Sequence, residues 1–223
     1  IAKFKKFKDG SMSSKSVDEK EDEKEEEEEG DKKNAMKESS GSLYTEDVVF
    51  QFASNSAHKK PGKGTGEKIT TERINDFKEL ELKENKDWRK VLSNFYIAPF
   101  QLDGKRWNSV EHYFHANKFK TKNPEYYLKF SLDDESSSFN KDPKLAKKAG
   151  RKLKLNEEER ANWEQVKSKV MKRGQLEKYR TNEYARKILL LTKDAKLMHY
   201  LGRGQGKVEF TETMEIRRDL KNM

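Results

Sequence analysis

One carboxylate and a crowd of rings share the stretch 92–119, LSNFYIAPFQLDGKRWNSVEHYFHANKF. Asn94, Phe95, Tyr96, Trp107, Tyr113 and Phe114 stand close along the chain to Glu111, His112, His115 and Lys118. Aromatic faces stack on a ring substrate and lower the local dielectric, while a carboxylate stabilises developing positive charge or moves a proton. Burial among rings is expected to raise the Glu111 carboxyl and suit it to proton transfer near neutral pH. The plainer reading is a core helix with an ordinary surface glutamate, and composition alone favours it.

Other chemistries fit less well. Glu111, His112 and His115 are metal-ligand types, but Glu-His-x-x-His is not the His-Glu-x-x-His of zinc proteases, and its histidines lie three apart rather than four. No third imidazole or thiolate stands near, so neither a metal nor another cofactor is expected. The chain has no cysteine, which excludes thiol catalysis, disulfides and Cys-based zinc sites. No nucleophile elbow presents a serine. The glycine-rich stretch 56–68, SAHKKPGKGTGEK, lacks the Gly-Lys-Ser/Thr that closes a phosphate loop. A looser grip on phosphate through Lys63 and free backbone N–H groups is still open there.

The elements that must hold these residues can be read from spacing. Ser109–Phe119 has helical periodicity and puts Glu111, Phe114, His115 and Lys118 on one face. A second helix opens at Asn156, with Glu159 three residues on as a capping box, and carries a stripe of Trp163, Val166 and Val170. Leu176 with Tyr179, and Tyr184 with Ile188 and Leu191, suggest two more helical segments that meet near Thr181-Asn182. Val48, Phe50 and Phe52 alternate as in a half-buried strand, whereas Leu197–Leu201 and Val208–Phe210 read as short strands or loop. The fold class expected is mainly α with minor short β, in one compact domain over 43–223.

Ahead of that domain, residues 1–42 read as a disordered tail. From Lys8 to Ser42 the only Leu, Ile, Val or Phe is Val17, too little apolar surface to offset the entropy of ordering. Residues 18–31 carry a net charge of −9 while the whole chain is +9, so the rest is strongly basic. A basic body suits a polyanionic partner, either nucleic acid, an acidic protein or a phosphate-bearing small molecule, and equally describes a lysine-rich solvated surface. No run of 18 apolar residues exists to span a membrane. Ile1 is followed by no apolar signal region, so the chain reads as a matured fragment of an intracellular protein, cytoplasmic or nuclear.

Several stretches together resemble the NADAR (YbiA-like) family. They are Leu92-Ser93-Asn94-Phe95-Tyr96, Pro99-Phe100, Asp103-Gly104, Ser109-Val110-Glu111-His112-Tyr113 and Lys118-Phe119. Ala146 to Gly150, Trp163 with Lys167 and Met171, Asn182, Leu189-Leu190 with Thr192, and Met214, Ile216 and Arg217 continue the match. It runs from about 88 to 220, roughly 60% of the chain. The PGKGTGE stretch is similar, more loosely, to extended versions from large DNA viruses, which would add a virion to the possible locations and virion proteins to the possible partners.

The resemblance implies a mainly helical domain that hydrolyses N-glycosidic bonds of ADP-ribosyl groups or of phosphorylated ribosylamine intermediates of riboflavin synthesis. It makes Glu111 the catalytic carboxylate that stabilises an oxocarbenium-like ribose. Asn94 would bond the sugar or base, Trp163 would stack on the leaving heterocycle, and Phe95, Trp107 and His115 would line the substrate site. Lys118, with Lys63 and Arg106 more weakly, would neutralise phosphate.

Departures accompany the match. His115 stands where the family has Gln, and Leu197-Met198-His199-Tyr200-Leu201-Gly202 replaces a Leu-Val-Glu, acidic residue and Trp-Gly turn, so the second carboxylate is missing. Glu209 or Glu212 could substitute for it. Two function classes therefore stand: an N-glycosidase, which we favour, and a catalytically lapsed module of the same fold that binds nucleic acid or virion proteins through its basic surface. A dedicated DNA-binding protein has little support, because no helix-turn-helix, zinc finger or RNA-binding sheet signature is present.

Overall fold

The computed structural model describes residues 42–222 apart from 203 and 205. The tail assigned to 1–42 lies outside the described residues but for Ser42. Strand β1 (Thr45–Phe52) presents Val48, Phe50 and Phe52, each wholly buried, on one face, as the alternation requires. It pairs antiparallel with the two-residue β2 (Lys68–Ile69) and parallel with β5 (Ala195–Gly202), which pairs antiparallel with β6 (Gly206–Glu209). The strand order is therefore β2-β1-β5-β6. The two stretches left open between strand and loop are strands. The partner of β5 across the parallel pair, β1, lies far back along the chain, so no local signal announces it, and β6 in turn pairs with β5.

A parallel pair needs a crossover, and here the crossover is most of the protein. It comprises a 3-10 stretch over Thr71–Glu81, a short one over Lys83–Asn85, and helices α1 (Trp88–Leu92), α2 (Val110–Asn117), α3 (Pro124–Leu128), α4 (Pro143–Lys152), α5 (Glu157–Thr181) and α6 (Glu183–Leu191). Helix α7 (Thr211–Lys221) follows the sheet. The mainly helical fold read from the sequence is the one observed.

Helix α5 begins as its sequence dictates. Asn156 Oδ1 accepts from Glu159 N and Glu159 Oε2 accepts from Asn156 N, both at 2.9 Å. Such a cap contributes about 1 kcal/mol. The segment around Leu176 and Tyr179 belongs to this same helix, which ends only where Asn182 accepts from Ala185 N at 2.8 Å and caps α6. Trp163 and Val170 are buried, but Val166 is 45% exposed. The buried stripe runs on through Gly174, Gln175 and Lys178, and Val166 falls outside it.

Between α1 and α2 a hairpin joins β3 (Phe100–Leu102) to β4 (Lys105–Trp107). Asp103 (φ 54°) and Gly104 (φ 69°) both take the left-handed conformation that an Asp-Gly two-residue turn supplies. The Asp103 carboxylate accepts from Tyr113 Oη (3.1 Å), Lys120 Nζ (2.8 Å) and Arg173 Nη2 (2.6 Å), so it ties the hairpin to α2 and α5. Apolar side chains gather in two clusters. One joins the sheet to α1, α6 and α7 through Phe50, Phe77, Trp88 and Leu197. The other surrounds α2 with Trp107, Tyr113, Phe119, Phe130 and Trp163.

Candidate functional site

Helix α2 opens beside the end of α1, where Glu111 N donates to the Asn94 carbonyl at 3.1 Å. Glu111 is 7% exposed, and its Oε1 lies 2.9 Å from His115 Nε2 one turn along the same face. Burial, the largest influence, raises the Glu111 carboxyl. The hydrogen bond from His115 and the charges of His115, Lys147 and His199 outweigh it, and the net shift is downward. The expected rise toward neutral is thus reversed: Glu111 is an ionised carboxylate held inside the protein. Burial also lowers His115, more than Glu111 raises it. The pair is therefore a buried carboxylate accepting Nε2–H from an imidazole that burial makes harder to protonate.

His115 fits because of what α4 omits. A Cβ on Gly150 would lie 2.6 Å from the imidazole Cγ and 2.7 Å from its Cβ. The His115 Nδ1 atom is buried there without a hydrogen-bond partner among the described residues. His112, on another face of α2, is fully engaged: Nδ1 meets Ser109 Oγ at 2.8 Å and Nε2 meets the Phe139 carbonyl at 3.2 Å. Among the described residues no group of three or more metal-ligating side chains comes together.

Asn94 is set by α5 and α7. Its Oδ1 accepts from Gln175 Nε2 (3.1 Å), whose Oε1 accepts from Thr213 Oγ1 (2.9 Å), and its Nδ2 donates to Met171 Sδ (3.2 Å). One amide hydrogen of the half-buried Asn94 has no partner among the described residues. Phe114 packs against Trp163 with centroids 4.9 Å apart, and Lys118 Nζ sits 5.8 Å from the Trp163 ring centre. Phe95, half-buried, extends from the same turn as Asn94.

The sheet adds a residue that the resemblance counted only as a departure. His199 on β5 is half-buried between Phe52 (5.4 Å) and Phe210 (5.3 Å), and its charge and those of Glu111 and Lys147 act on one another. Lys147, within the matching Ala146–Gly150 stretch, adds its charge to Glu111 in the same way. Helical spacing could flag neither, because β5 and α4 reach Glu111 only through the tertiary fold.

Four candidates are not brought to this site. Trp107 is wholly buried, donates Nε1–H to the Leu102 carbonyl at 2.9 Å, and packs on Tyr113 and Tyr127, so no ring face is left for a ligand. Arg106 is exposed and paired with Asp133 at 2.8 Å. Lys63 is exposed on a loop whose anion-gripping N–H groups are already taken. The Gly62 and Gly64 amides donate to Glu67 Oε2 at 3.1 and 2.9 Å. Glu67 in turn is forked by Arg89 Nε (2.7 Å) and Nη2 (2.6 Å), which orders the whole stretch around a buried ion pair. Glu209 accepts from Tyr44 Oη at 3.1 Å and lies 3.5 Å from Lys196, on the sheet face opposite His199. The other suggested replacement, Glu212, is buried and accepts from Ser168 Oγ at 2.9 Å.

Comparison with known proteins accords with this arrangement. A family profile described as the NADAR domain matches residues 82–203. Proteins named N-glycosidase YbiA from Escherichia coli strain K12 and Shigella boydii are each 33% identical over 139 residues, which cover 58% of this chain and 80% of theirs. That of Shigella flexneri is 32% identical over the same length. The NMR structure of the Escherichia coli protein YbiA superposes with a TM-score of 0.50 at 24% identity, over 80% of this chain and 88% of that one, a likeness of fold.

Proposed function

The chain belongs to the NADAR domain family, and we propose from that membership and from the Glu111 site that it is an N-glycosidase. It hydrolyses the C–N bond of an ADP-ribosyl or related phosphorylated ribosyl conjugate. One observation carries this reading: a buried carboxylate that is nevertheless ionised, held by His115 one turn away beside the half-buried Asn94. As the bond to the base lengthens, positive charge grows on the ribose, and a desolvated carboxylate stabilises it far better than one in water. Glu111 supplies that charge. The remaining amide hydrogen of Asn94 bonds a sugar hydroxyl, Phe95 and Trp163 flank the heterocycle, and Lys118 faces phosphate.

The protein is to be assayed for release of ADP-ribose or free base from ADP-ribosylated DNA, RNA and protein, and from phosphorylated ribosylamines. Hydrolysis of one class by the wild type supports the proposal and identifies the conjugate. No hydrolysis of any refutes it. The second reading, a lapsed module that binds nucleic acid or another acidic partner, draws on the engagement of Glu209 with Tyr44 and Lys196. On that reading the wild type turns over no conjugate while Glu111→Gln binds ligand as the wild type does, and nucleic-acid binding weakens steeply as salt rises.

A further inference from the structure

We propose that His199 is the group that takes the proton of the attacking water. The role rests on the N-glycosidase reading above. Hydrolysis needs both a stabiliser for the cationic sugar and an acceptor for the water's proton. Glu111 is committed to the first task, with one oxygen already bonded to His115. The two acids suggested as replacements are engaged elsewhere, Glu209 with Tyr44 and Lys196 and Glu212 with Ser168.

His199 has the properties that the second task requires. On β5 it shares a face with the wholly buried Leu197, two residues back, so it points toward the helical side of the sheet. Phe52 and Phe210, themselves 5.2 Å apart, hold its ring at tilts of 38° and 37° and fix its direction. Among the described residues neither ring nitrogen has a hydrogen-bond partner. The residue is half-buried rather than sealed in the core.

The charged groups acting on His199 are Glu111 from α2 and Lys147 from α4. Burial, the largest influence, and Lys147 lower its proton affinity, while Glu111 raises it, leaving it at about 4. The ring is therefore unprotonated near neutral pH and about as basic as a carboxylate would be at that place. It differs from a carboxylate in bringing no charge of its own, so oxocarbenium stabilisation falls to Glu111 alone.

The step balances as follows. The water oxygen bonds to the anomeric carbon as the C–N bond breaks, and the bond's electron pair leaves on nitrogen. A His199 nitrogen takes the water's proton and becomes an imidazolium that the Glu111 charge favours. It then returns that proton to the leaving nitrogen, which restores the neutral ring and leaves a hydroxyl on the sugar.

The test uses the full chain with the conjugate that the wild type hydrolyses. His199→Gln is expected to lower kcat about 100-fold with KM within about threefold of wild type, and imidazole added to His199→Ala is expected to recover about tenfold or more. Activity of His199→Gln within about threefold of wild type overturns the assignment, as does a loss that imidazole leaves unrescued. Should the variants not fold, the His199 imidazole NMR signals of the wild type decide. Displacement on adding ADP-ribose supports the role, and unmoved signals overturn it. A wild type active alongside an active His199→Gln refutes His199 alone, whereas an inactive wild type refutes the N-glycosidase reading and this role with it.

Discussion

A glutamate surrounded by rings is ordinarily held neutral, because desolvation disfavours its charge. Glu111 stays ionised because His115 gives it a hydrogen bond and Lys147 adds positive charge. The sign matters for activity. A carboxyl lowered below 4.5, the ordinary glutamate value, keeps its charge as pH falls until it is well into the acid range. The acid limb of kcat/KM is therefore expected below 4.5 in the wild type. In His115→Leu the hydrogen bond is gone, burial prevails, and the limb should move upward while kcat at neutral pH drops about tenfold. A profile unchanged by that substitution would contradict the pairing. The Glu111–His115 contact was legible from their i, i+4 spacing. The direction of the shift was not, since Lys147 and His199 arrive from α4 and β5.

At the level of elements, the helices were the more legible part, because caps and periodicity are local. Asn156 with Glu159 marked the start of α5, and Thr181-Asn182 the junction with α6, although the Leu176–Tyr179 stretch read as a separate segment is part of α5. Strand β5 stayed ambiguous in sequence because it pairs with β1, which precedes it by most of the domain, and β6 is held in the sheet by its pairing with β5. The glycine-rich loop misled for a related reason: Arg89, from α1, makes Glu67 the anion that the loop amides bind. Asp103 illustrates how one short turn positions two helices. Its three partners come from α2, the turn after it, and α5. Asp103→Ala is expected to lower unfolding free energy by about 1–3 kcal/mol, allowing for the exposure of Lys120 and Arg173. Urea unfolding would measure it, and a change within about 0.3 kcal/mol would mean that the hub contributes nothing.

Considered as a whole, the domain buries an amine that couples its stability to pH. Lys178 is wholly buried on α5, donating to the Val91 carbonyl at 2.6 Å and the Ser93 carbonyl at 2.8 Å. Burial pushes this amine down to about 7 from its ordinary 10.5. Between those values the unfolded chain binds the proton and the folded chain releases it, so stability rises with pH across that window and the penalty levels off below about 7. Burial raises Tyr113, Tyr127 and Tyr179, which oppose this trend only above their ordinary value of 10.0. Denaturation midpoints taken between about pH 7 and 9 should therefore climb in the wild type and stay level in Lys178→Met. Equal slopes for the two proteins would show that the amine is charged in the fold. The site depends on the same interior, because Ser93, which Lys178 holds, precedes Asn94 in the chain.

The decisive comparison sets wild type against Glu111→Gln with one ribosyl conjugate, following product release and, separately, ADP-ribose binding by calorimetry. The account predicts that the amide variant loses at least about 100-fold in kcat while its affinity for the product stays within about threefold. Turnover that persists in Glu111→Gln would contradict the assignment of the buried carboxylate.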